Sequence, residues 1–147
     1  MRSLSRLLSP DRVIWLSSST RNDILRELSE VHCRLDQTIT LDEAIKALVD
    51  REELGSTAIG LGLALPHARI DKLREFSLVL GLHPTGVDFA AFDDQLVRIF
   101  TLILGPSSAD DMYVRILSRT SRFLRDNRDA ILEAQTPEEI YGLTLQY

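Results

Sequence analysis

The chain has 147 residues, of which 44% are hydrophobic and 27% are charged, and its formal net charge is −5. This length and balance predict one globular domain over residues 1–147, and the negative charge argues against nucleic acid as a partner. No apolar run reaches the roughly 20 residues that a bilayer span requires, so we expect no membrane insertion and a cytoplasmic location. The single cysteine, Cys33, agrees with a reducing compartment.

Two helices are predicted in the first third of the chain. The first follows the polar stretch 17–20, and its apolar residues recur at helical spacing: Ile24, Leu28, Val31 and Leu35. The second begins at Thr40, because Thr40 and Glu43 have the spacing of a capping box, in which each side chain bonds a backbone N–H of the first turn. Ahead of both helices, Trp15 is predicted to pack in the core.

The middle of the chain is predicted to form strands. Residues 57–66 are small, apolar and interrupted by glycines, which indicates extended chain with tight bends that ends at His67. The apolar runs 76–82 and 96–104 are rich in Leu, Val, Ile and Phe and are too short for typical helices. Such runs are typical of strands that are buried on both faces of a sheet.

Two more helices are predicted after these strands. A long one covers residues 110–125, and a short one begins at Thr136, where Pro137 takes the first helical position. The long helix carries a basic stripe that consists of Arg115, Arg119 and Arg122. We expect this stripe to be solvated, and the alternative is that it docks an acidic partner. The order of elements predicts an α/β (α+β) fold, with a mixed β-sheet flanked by helices.

His67 is the candidate for chemistry. It follows a proline that fixes its own φ angle, and a neutral imidazole is a nucleophile near neutral pH. Arg51 and Arg69 could offset the charge of a phosphoryl group, and Gly60 and Gly62 would let the backbone pass close to it. Taken alone, these residues are a weak signal, and they are more typical of a loop histidine without a function.

The segment 51–69 resembles the active-site motif of enzyme IIA domains of the bacterial phosphotransferase system. The likeness is to the fructose–mannitol class, including its nitrogen-regulatory branch, which the motif resembles most. The matched positions are Arg51, Glu52, Leu54, Gly55, Ser56, Thr57, Ile59, Gly60, Gly62, Ala64, Pro66, His67 and Arg69. Weaker similarity covers most of the chain, including the stretches 87–95 and 118–126.

The resemblance implies a fold and a function. A histidine phosphocarrier protein would transfer a phosphoryl group to His67, at Nε2, and Arg51 would stabilise the site. The resemblance also implies binding roles for Arg69, Thr57, Gly60 and Gly62. Members of the class pass the group to an enzyme IIB or regulate a target protein. For this chain we expect no metal and no cofactor. The alternative is a regulatory binding domain that keeps the fold and is not phosphorylated.

Three residues depart from the family pattern. Leu61 stands where a polar residue is common, Leu96 replaces a proline, and Tyr113 aligns with a second active-site histidine. We expect Tyr113 to lie beside His67 and to donate a hydrogen bond to a phosphoryl oxygen. We also expect His67 at the floor of a shallow, largely apolar depression, with Arg51 as the nearer guanidinium.

The remaining histidines and the cysteine are predicted to have no chemical role. His32 lies beside an apolar helical stripe and reads as a structural histidine, whereas His83 precedes a turn signal and is expected to be solvated. Cys33 is expected to be buried or half-buried and unreactive. The three histidines lack the spacing of metal ligands, and no nucleotide-binding loop is present.

Overall fold

The computed structural model describes residues 3–147. Within them, the α-helices are Leu4–Leu7 (α1), Arg21–Leu35 (α2), Leu41–Glu53 (α3), Asp110–Glu133 (α4) and Pro137–Leu143 (α5). The strands are Val13–Trp15 (β1), Ala58–Gly60 (β2), Leu63–Ala64 (β3), His67–Arg69 (β4), Ser77–Val87 (β5) and Val97–Gly105 (β6). The predicted fold class is confirmed, since a mixed sheet is flanked by helices on both faces.

The helix starts follow the predicted capping. The capping box of α3 is complete, with Thr40 accepting from the Glu43 N–H and Glu43 accepting from the Thr40 N–H, both at 3.1 Å. Helix α4 differs in two respects. It has no side-chain cap at its first residue, and it extends to Glu133 rather than ending near residue 125. The extension follows from Ile131, which is fully buried and continues the apolar side of the helix beyond a polar run.

The sheet has the strand order β1-β5-β6-β3-β2, and β4 also pairs with β6. Strand β6 is antiparallel to β5 and parallel to both β3 and β4, so the two short strands lie end to end along one edge of β6. Leu63 is level with Ile99 and His67 with Ile103. The Ile103 N–H donates to the Pro66 carbonyl at 2.9 Å, which fixes the chain immediately before His67.

Helices cover the two faces of the sheet with separate apolar clusters. Phe100, Leu102 and Leu104 of β6 pack in the cluster that includes α2 and α3, whereas Ile99 and Ile103 pack in the cluster that includes α4 and α5. This alternation is what a strand buried on both faces requires.

Trp15 departs from its predicted place in the core. It is 43% exposed, because it ends β1, an edge strand that pairs only with β5. Leu35 is similarly exposed at the last residue of α2, where the apolar stripe runs out.

His83 also differs from its prediction. Strand β5 continues through the residues that read as a turn and ends at Val87 rather than near residue 82. His83 is therefore buried, its Nδ1 accepting from the Gly86 N–H at 2.9 Å and its Nε2 donating to the Ser18 carbonyl at 2.8 Å. The prediction of a solvated His83 is wrong because two backbone partners replace water.

Candidate functional site

A shallow depression of about 480 Å³ lies where β4 forms an open edge of the sheet. The last turns of α3 border it on one side and the first turns of α4 on the other. Its lining residues are Ala47, Asp50, Arg51, Leu54, His67, Ala68, Arg69, Tyr113 and Leu117. The structure thus brings together four of the predicted site residues, from three different elements. Both aliphatic and charged side chains line the depression.

His67 is half-buried in this depression, with one ring nitrogen fixed and the other free. Its Nδ1 lies 2.7 Å from the Leu65 carbonyl oxygen. Because a carbonyl can only accept, Nδ1 carries the proton and Nε2 carries the lone pair. Nε2 makes no hydrogen bond within residues 3–147, and it is not among the enclosed polar atoms that lack a partner. The nucleophilic nitrogen is therefore open to solvent.

The surroundings of His67 favour its neutral form. Burial lowers the pKa of His67 below its ordinary value, which the hydrogen bond to Leu65 partly offsets. The positive charges of Arg51 and, to a smaller extent, Arg69 lower the pKa further. A neutral imidazole at physiological pH is the form that can attack phosphorus.

The two arginines of the depression are held differently. Arg51, in the last turn of α3, donates from Nη1 to the Gly55 carbonyl at 2.8 Å. Arg69 forms an ion pair with Asp110 and lies with its Cζ 4.6 Å from the centre of the Tyr113 ring. That Arg51 is the nearer guanidinium to His67 stays a prediction.

Tyr113 stands beside His67 in the depression. Their ring centroids are 5.9 Å apart with an edge-on geometry, and Tyr113 is only 2% exposed. Burial raises the pKa of Tyr113 well above its ordinary value, so the phenol keeps its proton. Its hydroxyl has no hydrogen-bond partner in the described part of the chain. The ring of an uncharged tyrosine thus lies next to the open imidazole, while its hydroxyl is enclosed.

Thr57, Gly60 and Gly62 are not brought to His67. The Thr57 hydroxyl donates to Glu52, whose other oxygen accepts from the Thr57 N–H at 3.1 Å. Gly60 and Gly62 form the tight bend between β2 and β3, with φ angles of 87° and 73° that favour glycine. A Cβ on Gly60 would lie 3.0 Å from the Phe92 ring. In this structure these residues shape the chain before the site, rather than line the depression.

Sequence reasoning missed five residues that line the depression: Ala47, Asp50, Leu54, Ala68 and Leu117. A signal for most of them exists in the helical spacing. Ala47 and Asp50 lie four residues before Arg51 and Leu54, respectively, which places them on one side of the end of α3, where Leu54 is the C-cap. Leu117 lies one turn after Tyr113. The missed contact between Glu52 and Thr57 has no such signal, because it joins a helix to the extended segment after it.

The described residues offer no other obvious chemistry. No group of three or more His, Cys, Asp or Glu side chains within residues 3–147 is placed to hold a metal ion. None of the helices in that range is both long and apolar enough to span a membrane.

Comparison with known proteins gives a consistent result. Residues 6–146 match the family described as "Phosphoenolpyruvate-dependent sugar phosphotransferase system, EIIA 2", and the chain belongs to this family. A fructose-specific EIIA component of Haloferax volcanii is 33% identical over 101 residues, which cover 67% of this chain and 66% of that protein. A nitrogen regulatory protein of Bradyrhizobium diazoefficiens is 30% identical over 125 residues, covering 84% and 80%. The crystal structure of nitrogen regulatory protein IIA-Ntr from Neisseria meningitidis shares the fold, with a TM-score of 0.90 at 20% identity over 96% of this chain and 98% of that one.

Proposed function

We propose that this protein accepts a phosphoryl group from a histidine phosphocarrier protein on Nε2 of His67. The observation that carries the proposal is the state of the imidazole. Nδ1 is hydrogen-bonded to the Leu65 carbonyl, and Nε2 is open in a depression that two arginines help to line. A protein donor must bring its own phosphohistidine to the acceptor, and a shallow depression at a sheet edge permits that approach. A shared compartment with this donor is part of the proposal and implies a cytoplasmic location.

The proposed transfer is a direct exchange between two imidazoles. The lone pair of His67 Nε2 forms the new P–N bond, while the donor's N–P bond breaks and its electron pair returns to the donor nitrogen. The proton on His67 Nδ1 stays in its hydrogen bond to Leu65. Arg51 and Arg69 offset the charge on the equatorial oxygens. The Tyr113 hydroxyl, which is enclosed and without a partner in the described part of the chain before transfer, would turn to donate a hydrogen bond to one of them.

For the fate of the phosphoryl group, we favour regulation of a target protein, as in the nitrogen-regulatory branch. The similarity to nitrogen regulatory proteins supports this choice. Transfer to an enzyme IIB is the other route that the family offers. A second candidate function, a binding domain that is never phosphorylated, is favoured by Tyr113, because a neutral phenol replaces the second histidine expected from the resemblance.

The test is reconstitution of the phosphoryl chain. The protein is mixed with phosphoenolpyruvate, enzyme I and a histidine phosphocarrier, and intact mass reports the added phosphoryl group. We expect one acid-labile, base-stable phosphate on the unchanged protein and none on His67→Gln. If phosphocarriers of both the sugar and the nitrogen-regulatory type leave the protein unphosphorylated, the result would favour the binding domain instead.

A further inference from the structure

Four side chains form a continuous line from the surface to the open imidazole. Asp110, at the first residue of α4, pairs with Arg69 of β4. The Arg69 guanidinium stacks over the Tyr113 ring at 4.6 Å, and the Tyr113 ring meets His67 edge-on at 5.9 Å. One tyrosine ring thus contacts both the guanidinium and the imidazole.

Arg69 is placed to serve either of two anions. It follows His67 by two residues on β4, so both side chains leave the strand on the side of α4. Stacking on Tyr113 restricts the planar guanidinium and keeps it in the depression, with its edges available for hydrogen bonds. Without a phosphoryl group, the Asp110 carboxylate occupies one of those edges.

Resting on the proposed function, we propose that Asp110 tunes the phosphoryl affinity of His67 by competing with the phosphoryl group for Arg69. Asp110 is then a positioning residue that acts through Arg69, and the Tyr113 ring holds the guanidinium in place. A phosphoryl group on Nε2 brings a dianion to the depression, and Arg69 exchanges its carboxylate partner for a phosphoryl oxygen. Because Tyr113 is neutral, the guanidinium stacked on it supplies the positive charge on this side of His67.

The exchange changes the contacts of an exposed residue, Asp110, when His67 is phosphorylated. Asp110 is 73% exposed and begins a helix that lacks a side-chain cap. The ion pair with Arg69 therefore connects the first turn of α4 to the sheet. When Arg69 turns to the phosphoryl group, the first turn of α4 loses this connection. A regulated partner that contacts this turn would then distinguish the two states without entering the depression.

The size of the effect follows from the exposure of the pair. The Arg69 and Asp110 side chains are 42% and 73% exposed, and ion pairs of this kind are weak. Removing the competing carboxylate should therefore raise the equilibrium constant for phosphoryl transfer about two- to fivefold. An effect of this size adjusts the phosphorylated fraction without abolishing phosphorylation.

The test compares two neighbouring aspartates. Asp111 is exposed and belongs to the same first turn, but the ion pair of Arg69 is with Asp110 and not with Asp111. Asp110→Asn and Asp111→Asn therefore change the charge near the helix start alike, and only the first releases Arg69. The equilibrium constant is measured by intact mass at several ratios of phosphorylated to free phosphocarrier, and thermal unfolding shows that each variant is folded.

We expect Asp110→Asn to raise the equilibrium constant about two- to fivefold. Asp110→Glu keeps the carboxylate and should give the value of the unchanged protein, and Asp111→Asn should also leave that value unchanged. In an Arg69→Gln background, Asp110→Asn should have no effect, because the competition has been removed. Equal effects of the two asparagine variants, or an effect of Asp110→Asn that persists without Arg69, would overturn this inference and leave the proposed function standing. If the unchanged protein accepts no phosphoryl group, the proposed function fails and this inference fails with it.

Discussion

The environments of His67 and His32 differ in one decisive respect. Burial lowers the pKa of both histidines, and in both the Nδ1 atom has a partner within 2.8 Å. The Nε2 of His32 is enclosed without a partner, whereas the Nε2 of His67 is open in the depression. A lowered pKa therefore does not by itself mark a reactive histidine, and access to the free nitrogen separates the two.

The partners on the Nδ1 side also differ in kind. Ser77 lies 2.8 Å from His32 and accepts a hydrogen bond from Arg12 at 2.7 Å, so His32 joins a side-chain network between α2 and β5. Within residues 3–147, the His67 ring bonds only to the backbone two residues before it. We infer that the His32 network stabilises the fold, while the His67 site can change its state without disturbing the core.

The largest expected effect is on phosphoryl acceptance. His67→Gln should abolish it, because the amide nitrogen of glutamine is not a nucleophile. The free energy of unfolding should change by less than about 1 kcal/mol at this half-buried position. Intact mass after incubation with the phosphoryl donors measures acceptance. His32→Gln is the control and should keep acceptance at temperatures where it is folded. Phosphate on the His67→Gln variant would contradict the comparison.

The converse effect on stability should appear at His32. His32→Ala should lower the free energy of unfolding by about 2–4 kcal/mol, since it opens a cavity and deprives Ser77 of a buried partner. Urea unfolding followed by circular dichroism measures the loss. Ser77→Ala, which removes the shared hydroxyl, should cost less, about 1–2 kcal/mol. A His32→Ala variant as stable as the unchanged protein would remove the structural role.

Arg51→Gln tests how much positive charge beside His67 contributes to phosphoryl acceptance. Removal of one charge-assisted contact to the phosphoryl group should lower the transfer equilibrium about tenfold. The phosphorylated fraction at a fixed donor ratio reports this loss, with Arg26→Gln as a matched change at an exposed arginine outside the depression. Identical fractions in the two variants would show that Arg51 only holds the turn at Gly55.

Tyr113 should show opposite effects on function and stability. Tyr113→Phe removes a buried hydroxyl that has no partner, so the free energy of unfolding should rise by up to about 1 kcal/mol. The phosphorylated fraction should fall about two- to fivefold with the lost hydrogen bond, and Tyr113→His should raise it. Urea unfolding and intact mass on the same samples separate the two effects. A lower stability of Tyr113→Phe would mean that the hydroxyl has a partner.

The smallest effect concerns pH. Because the pKa of His67 in the folded protein lies below its ordinary value of 6.5, acceptance should be constant from pH 8 to pH 7 and fall only below pH 6.5. Stability should follow the same direction, since the unfolded chain takes up protons that folded His67 and His32 do not, and unfolding becomes easier as pH falls through 6.5. Nuclear magnetic resonance titration of the two rings gives the midpoints. A midpoint above 6.5 for His67 would reverse both expectations.

The elements of this fold are readable where local chemistry decides them. The capping box at Thr40, the proline at Pro137 and the apolar runs of β5 and β6 are local signals, and each has the predicted structure. His83 and Trp15 were misjudged because neighbours distant in sequence, such as the Ser18 carbonyl, decide their exposure.

The site was predictable in part for the same reason. The motif indicated His67 and Arg51, and helical spacing placed Tyr113 on the inward face of α4. The partners of Arg69 could not be foreseen, since Asp110 lies 41 residues away and meets it only after β4 and α4 have packed. Pairings between elements depend on the tertiary arrangement, which no local pattern contains.

The hydrogen bond from His67 to the Leu65 carbonyl has a consequence for the reverse reaction. A ring that keeps its Nδ1 proton becomes a cation once Nε2 carries a phosphoryl group, and a cationic nitrogen is a good leaving group. The proton that directs the incoming group to Nε2 would thus also weaken the new P–N bond. The phosphoryl group would be held at a high transfer potential, so that its occupancy follows the supply from the donor rather than persisting as a stable mark.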